Sequence, residues 1–501
     1  MSLSIKPVSI VKSAAVKSFK KVKLSLKDET IFIFPLTAFK ENQKILKEVL
    51  FPNQIKEISA NEPAKYSFST NKGNITVISL PQELMEMTSH EGMLDESNYT
   101  YCRDQVGSCI SVNSFKEKTN INIYMSGLEY DEVLGSALGL DLGFYHYSQK
   151  RIKPVITFNY NGLLNTTGVK EAVKAGAQIG EGVNISRFLV DTPPNLKRPA
   201  DYAAAVQELF KNSSNVKITI WDDKRLIKEN MGLISAVGQG SEQGPRMVHI
   251  SYRPKKSNID QPLAFVGKGI TFDTGGLNLK PGGSMRHMKK DMGGSSTVTG
   301  LAHWASQSKV ETPCDFYLAL AENSVDSKSF RPSDILKARN GMTVEIDNTD
   351  AEGRLVMADV LSVASEKKGK DKPLYLIDVA TLTGAIKVGL GSDIGGLFSD
   401  DDELAFLIQS CAQVSGDYLW RMPLHRSQRE KLNTPFADIV NSSGGFGGAI
   451  RAAMFLKDFK GDIPWAHLDL FHWSDSESGP YAHAGGTGQA VQCLAQFVSQ
   501  F

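Results

Sequence analysis

The chain has 501 residues, of which 22% are charged and 41% hydrophobic, with a formal net charge of +1. That length supports two or three domains, each with a sizeable core. The near-neutral balance excludes a global field for nucleic acid or anionic membranes, and no run approaches the roughly 20 apolar residues of a membrane span. Five cysteines (Cys102, Cys109, Cys314, Cys411 and Cys493) are an odd number without a two-residue spacing. Free buried thiols in a reducing, cytoplasmic compartment are the expectation.

Lys6, Lys12, Lys17, Lys20, Lys21, Lys23 and Lys27 precede the first acid, Asp28. Lysines interrupt any apolar signal core here and arginine is scarce, so a solvated basic edge is expected rather than a targeting peptide. From Ile31 to about Tyr160, TIFIFPL and NITVISL read as strands and Tyr130 to Gln149 as a helix. His90, Glu91 and Asp95 lie close together in polar, loop-like surroundings that predict a surface loop. A helical pattern from about Gly168 to Leu189 then ends in DTPPN, where Pro193 and Pro194 forbid continuation. These signals predict a mixed α/β domain over 1–165, a linking helix and turn over 166–197, and a larger domain over 198–501.

The larger domain alternates. Helices near Pro199–Lys211, Lys224–Asn230, Gly294–Gln307 and Gly353–Glu366 are interleaved with the strands VKITIW, MVHISY, PLAFVGKG, FYLALAE, TVEI, LYLIDVAT and AHLDLF. Strands alternating with helices predict an α/β fold with a mostly parallel central sheet, and such sheets bind ligands at the carboxyl ends of their strands.

Chemistry gathers at those ends. NTDAEGRL, from Asn348 to Leu355, places Asp350 and Glu352 two apart beside Gly353 and Arg354. Carboxylates that close repel unless a cation or a proton offsets them, although acids in a first helical turn also complement the dipole. The octapeptide alone does not decide between these. VGKGITFDTGG adds Lys268 and Asp273 around a glycine turn that fits neither a Walker loop nor GxGxxG. LNLKPGG adds Lys280, and MKKDMGG adds Asp291 ahead of a helix. Four carboxylates suit two divalent cations, which would polarise a carbonyl and activate water. HExxH is absent and no histidine lies among these acids, with His287 read as a wall. A lysine buried beside two cations should lose its proton, whereas Arg354 stays charged and suits an anion.

Together, VGKGITFDTGGLNLKP, MKKDMGG, NTDAEGRL and DVATLTGA resemble the leucyl (cytosol) aminopeptidase family, the M17 metallopeptidases. The resemblance covers roughly Gly168 to Phe501. It implies two metal ions, manganese or zinc foremost. Lys268, Asp273, Asp291 and Glu352 would hold one ion, and Asp273, Asp350 (with its backbone carbonyl) and Glu352 the other. Lys280 and Arg354 match the catalytic positions, with Lys280 on the developing oxyanion and Arg354 holding a bicarbonate general base against Ala351, Gly353 and Leu382.

The same resemblance places the first substrate side chain near Met288, Thr381 and Gly384, with a leucine-like preference that His472, His483 and the unusual run SDSESGPYAHAGGTG put in question. It further implies short peptide substrates, a homo-hexamer and a cytoplasmic enzyme that takes neither nucleic acid nor membrane as partner. A two-metal phosphoester hydrolase and a DNA-binding regulator on the same fold are the alternative expectations.

Overall fold

The computed structural model describes residues 3–22, 24, 28–58, 62–70, 73–81, 96–110, 119–147 and 154–501. His90, Glu91 and Asp95 lie outside the described residues, as do Lys23 and Lys27. The first sheet comprises β1 (Ala15–Ser18), β2 (Asp28–Pro35), β3 (Ala64–Thr70), β4 (Gly73–Leu80), β5 (Asn120–Ser126) and β6 (Val155–Asn161). Their spatial order is β1-β6-β5-β2-β4-β3, and β3 alone runs antiparallel to its neighbour. The two apolar runs singled out in the sequence are β2 and β4, and both are buried along most of their length. The basic N-terminal segment is part of this sheet through β1, with Lys6, Lys12, Lys17, Lys20 and Lys21 exposed around it.

The helix expected to reach Gln149 closes earlier, spanning Tyr130–Gly143. Beyond Gly143 the chain turns so that the Tyr145 hydroxyl donates to Asp191 Oδ2 at 2.7 Å. The linking helix, Thr166–Asp191, is capped by the Asn165 side chain, which accepts from Gly168 N at 2.9 Å. It belongs to two cores. Val169, Ala172, Val173, Ala177 and Val183 pack into the N-terminal core, while Ile185, Leu189 and Val190 pack into the C-terminal one.

The C-terminal part contains β7 (Val216–Trp221), β8 (Arg246–Tyr252), β9 (Leu263–Asp273), β10 (Cys314–Asn323), β11 (Ile335–Lys337), β12 (Thr343–Glu345), β13 (Leu376–Ala380), β14 (Gly395–Ser399), β15 (Leu419–Arg421), β16 (Ile439–Val440) and β17 (Trp465–Asp469). Eight of these form one sheet in the order β15-β14-β17-β13-β9-β10-β8-β7. The centre, β17-β13-β9-β10, is parallel and apolar on both faces, as a sheet covered on both sides requires.

Two expectations need correction. β7 and β8 run antiparallel at one edge. β8 is the strand that points against β9 and β10, because the short, helix-free connection from Tyr252 to Leu263 leaves no room for the crossover of a dozen or more residues that a parallel return needs. TVEI, as β12, stands outside the main sheet in a three-stranded sheet with β11 and β16. It has only three strand residues, one of them buried, too little to join a doubly covered core.

The protein is therefore a smaller N-terminal mixed α/β unit followed by a larger α/β unit with a mostly parallel sheet. All five cysteines are free thiols, four of them buried.

Candidate active site

Because β9, β10, β13 and β17 are parallel, their carboxyl ends share one edge of the sheet. Asp273 ends β9, and Asn323 ends β10 directly opposite it. Thr381 follows β13 and Asp469 ends β17. Two helices begin at this edge, Gly293–Ser308 just after Asp291 and Glu352–Ser365 with Glu352 as its first residue. Segments distant in sequence thus deliver their acids to one place.

Lys268 is the hub. Its Nζ lies 2.8 Å from Asp291 Oδ2 and 3.1 Å from Glu352 Oε1, and it donates to the Thr381 carbonyl at 3.1 Å. Lys280 Nζ lies 2.9 Å from Asp273 Oδ2 and 2.5 Å from Asp350 Oδ1. Asp273 Oδ1 accepts from Gly275 N and from Asn323 Nδ2, both at 2.9 Å. Gly275 has a φ of +87°, a conformation that only glycine adopts easily, and it lets the chain turn back so that Lys280 reaches these acids.

Four carboxyl groups face two ammonium groups, so the cluster can hold all four as carboxylates only with further positive charge. Burial raises Glu352 to about 8, helped by the Asp273 and Asp291 carboxylates. Burial also raises Asp350 and Asp291, with Asp273 adding to both. For Lys268, burial pulls the ammonium down, yet Asp291, Glu352 and Asp273 together hold it above its ordinary value. The neutral amine expected from the sequence is that of a lysine beside two bound cations; among the protein's own groups the carboxylates set its charge.

Arg354 is buried, and burial lowers its guanidinium to about 10. Its Nη1 donates to the Asn441 carbonyl at 2.6 Å, while its Nε has no hydrogen-bond partner. The Leu382 N–H donates to Asp469 Oδ1 at 2.9 Å. Gly353 makes room chiefly for Lys268, since a Cβ there would meet Lys268 Cε at 2.3 Å. Ala351 is half-buried and sits at the N-terminal cap of the helix.

Of the pocket candidates, Thr381 is tied inward, its hydroxyl donating to Asp291 Oδ1 at 2.9 Å. Met288 is half-buried in the short turn Met288–Lys290, and Gly384 is exposed with nothing near its Cα side. His287 packs edge-on against Trp473, with ring centroids 5.4 Å apart, as a wall residue does.

Sequence reasoning missed the residues that hold this constellation. Asn323 bridges Asp273 and the Thr349 carbonyl, the latter at 3.1 Å. Its place at a parallel strand end was a usable signal. Asn441 clamps the octapeptide by accepting from Asp347 N at 2.9 Å and donating to the Asn348 carbonyl at 2.7 Å. No local pattern marks it. Asp469 holds the 382–383 turn through Leu382 N and both Thr383 donors.

These residues fit a divalent cation. Among the described residues, Asp273, Asp350 and Glu352 each present a ligand atom within 4.8 Å of the others. Glu352 Oε2 is buried without a hydrogen-bond partner. A cation would supply both the missing partner and the missing charge. A parallel α/β sheet carrying such a cluster at its carboxyl edge has the architecture of a metal-dependent hydrolase.

The comparisons agree. The family described as "Cytosol aminopeptidase family, catalytic domain" matches residues 184–495. A probable cytosol aminopeptidase of Nostoc punctiforme is 42% identical over 339 residues, 67% of each chain. The solved structure of a tomato leucine aminopeptidase mutant superposes with a TM-score of 0.82 at 26% identity, covering 100% of this chain and 99% of that one. The bottromycin maturation enzyme BotP in complex with Mn gives 0.81 at 27% identity, covering 95% and 99%.

The chain belongs to the cytosol aminopeptidase family. It is an aminopeptidase, a hydrolase of peptide bonds from a metal-dependent family. No helix among the described residues is long and apolar enough to cross a membrane.

Proposed function

We propose that the protein releases N-terminal residues from short peptides with two divalent cations, manganese or zinc, at the carboxylate cluster. Lys268, Asp273, Asp291 and Glu352 would hold one, and Asp273, Asp350 and Glu352 the other. When bound, such a pair lowers the pKa of water and polarises the first peptide carbonyl. The observation that carries this reading is the convergence of Asp273, Asp350 and Glu352 within 4.8 Å around a buried oxygen of Glu352 that lacks a partner.

The chain's own residues supply the rest. Lys280, already poised on the outer side of the cluster and only partly buried, donates to the carbonyl oxygen as charge develops on it. Arg354, with its free Nε, suits an anion such as bicarbonate serving as general base beside Ala351, Gly353 and Leu382. Thr381 orients Asp291, next to which the free amino terminus would sit. An internal peptide has no such amine, which is why the reading is of an exopeptidase. Met288 offers apolar surface to a leucine-like first side chain near Thr381 and Gly384. A cytoplasmic homo-hexamer that admits short peptides completes the proposal.

Elemental analysis together with hydrolysis of leucine p-nitroanilide and p-nitrophenyl phosphate tests it. The expectation is about two divalent ions per chain and chelator-sensitive release from the anilide only. Asp350→Ala and Glu352→Ala should each lower the anilide rate at least about a hundredfold. Unchanged rates in these variants, or turnover of the phosphate ester alone, would overturn the reading.

A further inference from the structure

We infer that the first-residue pocket contains a carboxylate-binding subsite, formed by Lys290 and Lys387 around Phe471, that selects peptides beginning with an acidic residue. This rests on the aminopeptidase reading and refines which side chain the pocket takes.

Lys290 ends the turn that begins with Met288, and it immediately precedes Asp291. It is 6% exposed, and its Nζ lies 4.3 Å from the centroid of the Phe471 ring. Lys387 comes one turn after Gly384 in the helix Gly384–Leu390, and its Nζ lies 3.7 Å from the same centroid. The two segments that frame the pocket therefore each send an ammonium group to one half-buried phenyl ring. The backbone after this ring is fixed. His472 has a φ of +60°, unusual for a residue with a side chain, and its ring is fixed by Ser186 and Thr297 at 3.2 and 3.0 Å.

Two ammonium groups at one ring repel each other. A phenyl face attracts each only weakly, which does not replace a counter-ion. The nearby carboxylates are already engaged. Asp291 is bound by Lys268 and Thr381, and Asp469 by Leu382 N and both Thr383 donors. Lys387 has a loose surface partner, Asp475, at 3.8 Å, and the Lys290 ammonium has no hydrogen bond or ion pair among the described residues. A glutamate or aspartate at the substrate's first position supplies the missing carboxylate.

The test compares kcat/KM for size-matched pairs of aminoacyl coumarylamides, glutamyl against glutaminyl and aspartyl against asparaginyl, with leucyl as reference. The acidic member should exceed its amide by about tenfold or more at low salt. Lys290→Met and Lys387→Met should bring that ratio close to one, and Lys290→Arg should keep it. Lys387 is half-exposed, so its variant reads the charge at the outer side of the subsite. Calorimetric titration with L-glutamate and L-glutamine gives a second readout that needs no turnover. Leucyl hydrolysis with equal acidic and amide rates would overturn the subsite and leave the aminopeptidase reading intact. Hydrolysis of none of the substrates would overturn that reading itself, and equal binding of the two amino acids would overturn the subsite independently.

Discussion

Gly353 has no side chain at the point where Lys268 crosses it, and a Cβ there would stand 2.3 Å from Lys268 Cε and 2.6 Å from its Nζ. The glycine lies in the first turn of a helix, where alanine is otherwise the better residue. Its presence is explained by the lysine. Gly353→Ala should push Lys268 off Asp291 and Glu352, lowering metal affinity by about 10- to 100-fold, with a stability cost of about 1–3 kcal/mol. Chelator competition and a denaturant midpoint measure the two effects. Full retention of metal would show that the Lys268 position is not needed.

Asn323 places its amide on Asp273 Oδ1 at 2.9 Å and on the Thr349 carbonyl at 3.1 Å. It orients a carboxylate that also faces Lys280. Asn323→Ala should leave Asp273 free to rotate, and metal affinity should fall about 10- to 100-fold while the fold persists. Metal titration followed by peptidase assay at saturating metal checks this, since excess metal should restore most of the rate.

His472 gives a pH signature. Burial, reinforced by Lys290 and Lys197, lowers its imidazole from 6.5 to about 3. The unfolded chain takes up this proton near pH 6.5 and the folded chain only near pH 3. The contribution to stability is therefore complete above about pH 6.5 and is lost as the pH falls towards 3, at about 1.4 kcal/mol per pH unit. His472→Asn, which tolerates the positive φ, should show a flatter fall in stability across that window than the parent chain. Parallel slopes in urea titrations between pH 7 and pH 4 would contradict it.

Arg187 ties the linking helix to the late C-terminal loop. Its guanidinium donates to the carbonyls of Gly486 and Leu142 at 3.0 and 2.8 Å and lies 4.0 Å over the Tyr145 ring. A lysine cannot reproduce this planar fork. Arg187→Lys should cost about 3 kcal/mol, seen as a lower denaturant midpoint, with little change in the rate per folded molecule.

Much of this was legible beforehand where the signal is local. The β9 segment opens on the apolar run Leu263–Val266, carries Lys268 between two glycines and ends at Asp273, and the acids of NTDAEGRL sit at the start of a helix that the apolar period after Gly353 announces. The linking helix carries its own cap and its own proline stop. Strand direction was less legible, as β8 and β12 show, because a short apolar run reads alike whichever neighbour it joins. Asn441 was invisible for a related reason: its contacts with Asp347 and Asn348 span more than ninety residues and depend on β12 lying beside β16.

By itself the sequence determined the inventory and its order: two lysines, four carboxylates and an arginine at the ends of predicted elements, on an α/β rhythm set by apolar periodicity and glycine turns. Tertiary structure alone decided which of these touch. Lys268 meets Asp291 and Glu352, Lys280 meets Asp273 and Asp350, and Lys290 and Lys387 both approach the Phe471 ring. The physical reason is that such contacts are fixed by the order and direction of strands in the sheet and by glycines that let helices approach it. Those are properties of the packed chain, which no local stretch of residues specifies.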